Sequence, residues 1–261
     1  MNMPHFEPCL PTTWHHTHLE ETDSTMLQLK KQAYWHSVFD FELLTAGYQT
    51  AGRGQRGTHW EADRNDNLLF GFVFHPEGIA ARQQFSLSEA LALGVREALT
   101  DYTDGICVKW PNDVYWNNKK ICGMLLEHTL EGCNIASTLT GVGINVNQQR
   151  FFSDAPNPVS LLQITGKETN IVKLLEKVVM AFSKRYETLK QGGFAIIHEE
   201  YMRHLYRKDG FFTYEDGSGR FEAAIKDISP EGMLTLCRRN GREHTYAFKE
   251  VRFAIDGNEN N

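Results

Sequence analysis

The sequence has few cysteines and no pattern among them. Cys9, Cys107, Cys122, Cys133 and Cys237 are odd in number, and no two form a C-x-x-C pair. That argues against a disulfide scaffold or a cysteine-held zinc ion and points to a reducing, cytoplasmic setting. An excess of positive charge is also missing. Lys and Arg number 27 against 33 Asp and Glu, for a net charge of -6. This disfavours a duplex-DNA binder relying on global charge but is compatible with a local cationic pocket. No apolar run reaches the length of a membrane span. The opening MNMPHFEPCLPTTWHH lacks the basic start and apolar stretch of a secretory signal. Repeats and low-complexity blocks are absent. What is there is a chain of 261 residues, 41% hydrophobic and 23% charged. That suffices for one large domain or a large domain plus a small one.

Local patterns predict the elements. Thr12 to Glu21 reads as extended. Ser24 is placed to cap a helix carrying Met26, Leu27, Leu29, Ala33 and Tyr34. Phe41 to Gln49 and Leu68 to His75 read as strands, the second aromatic and buried. Between them, Thr50 to Asn67 is polar and glycine-rich, a long loop of the kind that tends to be functional. Ala80 to Thr100 has helical spacing. Strands follow around Ile106 to Trp110 and Val114 to Trp116, with a turn at Asn117-Asn118 and a return through Lys120 to His128. A strand pair is expected from Asn134 to Val146. Helices are expected over Thr169 to Gln191 and Gly193 to Tyr206. After Arg207, short segments alternate with turns, as in a small β-barrel-like unit. The boundary falls near Tyr206 to Asp209.

Gly52-Arg53-Gly54-Gln55-Arg56-Gly57 matches G-x-G-x-x-G, but no helix opens after it, which excludes a dinucleotide site. No Gly-Lys-Ser/Thr follows, so it is not a P-loop either. Two readings stay open for this segment alone. It is an anion-binding loop, with glycine backbone and the donors of Arg53 and Arg56 approaching a phosphate, or a solvated surface loop.

Two further segments narrow the choice. Lys109-Trp110-Pro111-Asn112-Asp113 is followed by Lys119-Lys120-Ile121-Cys122-Gly123-Met124-Leu125-Leu126-Glu127, and then by Gly141-Val142-Gly143-Ile144-Asn145-Val146-Asn147. Together with Asp23-Ser24-Thr25 and the loop from Gly52 to Trp60, their order and spacing resemble the biotin protein ligases, also called holocarboxylase synthetases. The resemblance runs from about Asp23 into the C-terminal unit. It implies an α+β fold. A catalytic domain, residues 1–207, would hold a mixed β-sheet with flanking helices, related to class II aminoacyl-tRNA synthetases. Residues 208–261 would form a small SH3-like β-barrel, in agreement with the break read near Arg207. Some members carry an N-terminal winged helix and repress transcription. The first motif here starts at Asp23, so the expectation is the enzyme-only type with no DNA partner. The implied reaction activates biotin with ATP and Mg²⁺ to biotinyl-5'-AMP, then transfers biotin to a lysine of a biotin carboxyl carrier protein domain of a biotin-dependent carboxylase. A cytoplasmic monomer or weak homodimer, without membrane contact, is expected.

The resemblance also assigns residues. A carboxylate and a triphosphate repel each other, so the site must supply cations and oriented donors. Lys109 is expected between the biotin carboxylate and the α-phosphate, with Arg53 as the second catalytic cation. Ser24, Thr25 and Gln49 supply polar partners for the ureido ring, and Gly52, Arg53, Gly54 and Gln55 wrap the biotin tail. Gly123, Gly141 and Gly143 leave space for the ring system or the chain. For ATP, Arg53, Gln55, Arg56, Lys109, Lys120 and Asn145 are the candidates, with Trp60 stacking on adenine once the loop closes. Lys119 is expected to point away from Lys120. No carboxylate cluster identifies a metal cage, and magnesium often arrives through phosphates and water, so no metal ligand is named.

Gln55 departs from many relatives, which carry arginine there to retain the adenylate. Retention is then expected to rest on Arg53, Arg56 and loop closure. His15, His16 and His18 read as part of a strand, with His15 on the face opposite the other two, rather than as a metal site. The tail GNENN is expected to be disordered. The rival readings are a lipoate or octanoate ligase or transferase on the same fold, and a non-catalytic biotin or adenylate sensor. A lipoyl ring needs no ureido partners, so Ser24, Thr25 and Gln49 favour biotin. Lys109, Arg53 and Asn145 favour an enzyme.

Overall fold

The computed structural model describes residues 6–32, 40–54, 59–152 and 157–254. Gln55 and Arg56, the helix positions Ala33 and Tyr34, and the GNENN tail lie outside them. A seven-stranded mixed sheet organises the larger part. Its strands are β1 (Trp14–Leu19), β2 (Phe41–Ala46), β3 (Leu68–Phe74), β4 (Ile106–Lys109), β5 (Asp113–Trp116), β6 (Lys119–Glu131) and β7 (Asn134–Ile144). Their order is β1-β2-β3-β7-β6-β5-β4. β1 and β2 are parallel, and every other pair is antiparallel.

The expected strand pair from Asn134 to Val146 is one strand. β6 and β7 form a long hairpin that turns at Gly132, whose φ of 60° is in the left-handed region open to glycine. β7 is then paired on both sides, by β6 and β3. A strand with two partners is buried along much of its length, and this one carries no turn residue that divides it.

Among the described residues, five helices accompany the sheet: α1 (Thr25–Gln32), α2 (Phe85–Thr100), α3 (Leu161–Thr165), α4 (Ile171–Lys190) and α5 (Phe194–Arg203). α2 starts later than expected, after a 3-10 turn at Ala81–Gln83. α2 and α4 cover one face of the sheet. Alternate side chains of β1, β2 and β3 meet them there: Trp14 stacks on Phe41 at 4.2 Å, Phe72 meets Phe182 at 5.1 Å and Phe74 meets Tyr186 at 5.3 Å. α2 approaches α4 so closely that a Cβ on Gly94 would stand 3.0 Å from the Phe182 backbone nitrogen. α1 lies on the opposite face, with Leu29 above Gly71 and Met26 above Gly141.

β8 (Phe212–Asp216), β9 (Gly219–Ile228), β10 (Leu234–Arg238), β11 (Glu243–Tyr246) and β12 (Val251–Phe253) make a second, wholly antiparallel sheet in the order β11-β10-β9-β8-β12. It is tied to the larger part by the indole of Trp110, which donates to the Gly232 carbonyl at 2.9 Å, and by the Phe85 amide, which donates to the Pro230 carbonyl. His198 of α5 joins Glu89 of α2, at 2.8 Å, to Asp227 of β9, at 3.2 Å. No helix among the described residues is long and apolar enough to cross a membrane.

Candidate active site

The face of the large sheet away from α2 and α4 is built of small and charged residues. Strand register puts Leu69, Gly143, Gly123, Asp113 and Lys109 in one row across β3, β7, β6, β5 and β4. A parallel row holds Gly71, Gly141 and Leu125. The glycines lower the sheet surface in its middle, and two cations and a carboxylate stand at one end.

Lys120 joins this face through an irregularity. Tyr115 pairs with Lys120 while Val114 pairs with Cys122, so the register slips by one residue between them. A β-bulge of this kind re-aims the side chain before it. Without it, Lys120 and Gly123, three residues apart, would point to opposite faces. With it, the Lys120 ammonium reaches the Asp113 carboxylate at 2.8 Å. Lys119, as expected, is exposed.

Above the row sits a cavity of ≈ 1770 Å³, larger than the usual pocket for one small ligand. Its wall includes Ser24, Thr25, Gln49, Arg53, Gly54, Trp60, Lys109, Lys120, Gly123, Gly141, Gly143 and Asn145. Nearly every described residue expected at the site is therefore brought to one place. Gly52 is not. It is buried behind the loop, where its carbonyl accepts from the Trp60 amide at 3.0 Å. A Cβ there would stand 2.9 Å from the Trp60 carbonyl. Gln55 and Arg56 fall outside the described residues.

The polar end of the cavity is formed by the start of α1. Ser24 was expected to cap this helix. Its carbonyl accepts from Gln28, but among the described residues its hydroxyl makes no bond to the first turn. The orphan amide of Thr25 instead donates to the Gln49 carboxamide oxygen at 2.8 Å, and the Thr25 hydroxyl donates to the same oxygen at 3.1 Å. Among the described residues, the Ser24 hydroxyl and the Gln49 NH₂ group are left without a hydrogen-bond partner on the cavity wall.

Trp60 is half-buried and already seated. A Cβ on Gly143 would lie 2.4 Å from the indole, and one on Gly123 2.8 Å. These two glycines make room for Trp60 here, and Gly141 makes room for Met26. The Trp60 Nε1 donor and the Asn145 Oδ1 acceptor are buried with no hydrogen-bond partner among the described residues. The Asn145 amide nitrogen is used, donating to the Val159 carbonyl at 3.2 Å. An unmet donor and acceptor in one cavity are costly unless a ligand completes them.

Lys109 is half-buried. Loss of hydration pulls its ammonium below the ordinary value, against the opposing effect of Asp113. Its Nζ lies 5.0 Å from the ring centre of Tyr115 and 4.7 Å from that of Phe253. Arg53 is exposed at the cavity rim, bridged to His59. Asp113, Tyr115 and Phe253 had no assigned role in the sequence. Asp113 was in view as the last residue of the Lys109 motif. Phe253 comes from the second sheet, and nothing local marks it.

The three histidines of β1 behave as strand residues. His16 and His18 share the Thr45 hydroxyl at 2.8 and 2.9 Å, while His15 lies on the other face against Glu42. Among the described residues, no group of three or more His, Cys, Asp or Glu is gathered as a metal would require.

Residues 19–146 match the Biotin/lipoate A/B protein ligase family. The chain is 30% identical over 231 residues to the biotin--[acetyl-CoA-carboxylase] ligase of Paracoccus denitrificans, covering 86% of this chain and 95% of that one. It is 29% identical over 211 residues to the bifunctional ligase/repressor BirA of Bacillus subtilis, covering 78% of this chain but only 64% of that longer protein. Among solved structures, the biotin protein ligase from Aquifex aeolicus in complex with biotin and ATP superposes with a TM-score of 0.75 at 27% identity. The match covers 92% of this chain and 99% of that one.

Proposed function

The chain belongs to the biotin/lipoate A/B protein ligase family, and we propose that it is a biotin protein ligase. In this reading it activates biotin with ATP and transfers it to a lysine of a carrier domain. The observation that carries the proposal is the row Gly143-Gly123-Asp113-Lys109 beneath one large cavity. The row seats the Trp60 indole on its two glycines and ends in cations able to hold phosphates. Residues 1–207 form the catalytic domain in this reading, and residues 208–261 the SH3-like unit, supported by the five-stranded antiparallel sheet after Arg207.

The chemistry follows from charge. A biotin carboxylate oxygen attacks the α-phosphorus of ATP, the bond to the β-phosphate oxygen breaks, and pyrophosphate leaves. Negative charge gathers on the α-phosphoryl oxygens. In this reading Lys109 stabilises it, and Lys120, paired with Asp113, and Arg53 hold the leaving group; the lining of one cavity by all three cations supports this. The ureido ring lies at the α1 end, where the Ser24 hydroxyl and the Gln49 NH₂ supply the polar partners. Asn145 Oδ1 is left as an acceptor for a nucleobase amine. In the second step the carrier lysine amine attacks the acyl carbon, and AMP departs. The described residues build no cage for Mg²⁺, so the ion would come with the triphosphate, held by phosphate oxygens and water.

A lipoate or octanoate ligase on the same fold is the competing reading. The buried Ser24 hydroxyl and the half-buried Gln49 NH₂ disfavour it, because an apolar ring leaves both unmet. Pyrophosphate release from ATP and Mg²⁺, followed with biotin or lipoate and no carrier, separates the two. Release with biotin and background with lipoate is expected. The reverse order would sink the proposal.

A further inference from the structure

The second sheet reaches into the site. Phe253, at the end of β12, stands with its ring centre 4.7 Å from the Lys109 ammonium, and Tyr115 faces that ammonium at 5.0 Å. The Phe253 ring is fixed from behind. It meets Tyr214 of β8 edge-on at 5.0 Å and stacks on Tyr206 at 6.2 Å, and Tyr206 in turn lies 5.3 Å from Tyr115. No hydrogen bond or ion pair to Lys109 is present among the described residues, and the nearby Asp113 carboxylate is paired with Lys120. A half-buried ammonium that feels Asp113 without contacting it is therefore held by aromatic faces. The attraction of a cation to the negative ring face is largest where water is scarce.

We propose that Phe253 is a positioning residue for adenylate formation, whose ring face holds the Lys109 ammonium at the end of the glycine row. This rests on the reading that Lys109 acts in that step. It makes the second sheet part of the active site, acting through Lys109 and not through contact with the reacting atoms. Tyr115, from the same sheet as Lys109, supplies the other aromatic face, and Phe253 completes it across the junction.

The test places phenylalanines with one, two and three ring fluorines at position 253 of the full chain. Fluorine drains the negative ring face while nearly keeping its shape. Pyrophosphate release with ATP, Mg²⁺ and biotin is measured beside Tm, with Lys109→Ala as the reference. The expected result is a stepwise fall in kcat, reaching about tenfold at three fluorines, with KM for biotin and Tm unchanged. Phe253→Trp keeps kcat, and Phe253→Leu loses about tenfold. A kcat that stays flat across the series, in a chain where Lys109→Ala is inactive, overturns the proposal and leaves the role of Lys109 standing. A fully active Lys109→Ala overturns both.

Discussion

The two faces of the seven-stranded sheet use the same strands for opposite ends. In β3, Phe70, Phe72 and Phe74 alternate with Leu69, Gly71 and Val73. Phe72 and Phe74 pack on α4, and Gly71 lies under α1 beside the cavity. Across β7 and β6 the contrast sharpens, with Gly141, Gly143 and Gly123 on the cavity side. One face buries large rings, and dispersion and hydrophobic burial stabilise it. The other gives up that burial and gains a slot and a cluster of charges. A strand's period of two lets one sequence serve both, provided substitutions on one side leave the other alone.

The largest expected effect lies on the packed face. Phe72→Ala should lower unfolding free energy by about 3–5 kcal/mol, measured by urea denaturation. Initial adenylation per folded molecule should be nearly unchanged. Next comes Lys109→Ala on the open face. Adenylation kcat should fall about 10²–10³-fold, as for loss of a transition-state charge stabiliser, with Tm within a degree or two of the parent. Biotin affinity, measured by calorimetry, should fall far less. Equal losses in rate and affinity would contradict a transition-state role.

Gly143→Val probes the slot itself. The new side chain takes the place of the Trp60 indole, so biotin and ATP should each bind about tenfold more weakly, or 1.4 kcal/mol. Trp60 is half-buried and lies outside the aromatic packing against α4, so stability should move little. A stability loss as large as that of Phe72→Ala would mean the faces are not separate.

The smallest effect belongs to the junction between the two sheets. Hydrogen bonding to Glu89, joined by Asp227, raises His198 from 6.5 to about 9. A raised folded value means the pairing stabilises fully below pH 6.5 and is lost as pH climbs toward 9. Partial exposure of the group trims the effect to about 1 kcal/mol. Thermal unfolding between pH 6 and 9.5 should show this loss in the parent and a flatter limb in His198→Gln.

How much of this the sequence discloses depends on the range of each interaction. α4 shows itself through its apolar stripe, and the site motifs fall within single strands or loops, so both are legible. α3 was missed although its signal is local. Ser160 and Gln163 make a reciprocal capping box and Gly166 closes the helix in the left-handed conformation. The bulge that turns Lys120 inward leaves no trace in residue type, because it depends on the pairing of β5 with β6. The Ser24 cap failed for a related reason. Gln49, from after β2, takes the Thr25 amide, and among the described residues the Ser24 hydroxyl bonds to no amide of the first turn. Phe253 is the extreme case, since it lies far along the chain from Lys109 and in another sheet.

The central claim is that this open face selects biotin and passes it to a carrier. The most direct measurement supplies the full chain with ATP, Mg²⁺, equal concentrations of biotin and lipoate, and a biotin-carrier domain, and reads the carrier by intact mass. The account predicts one biotinyl addition, absent without ATP and slowed about 10²–10³-fold with Lys109→Ala. A carrier that gains lipoyl mass and never biotinyl mass would contradict it.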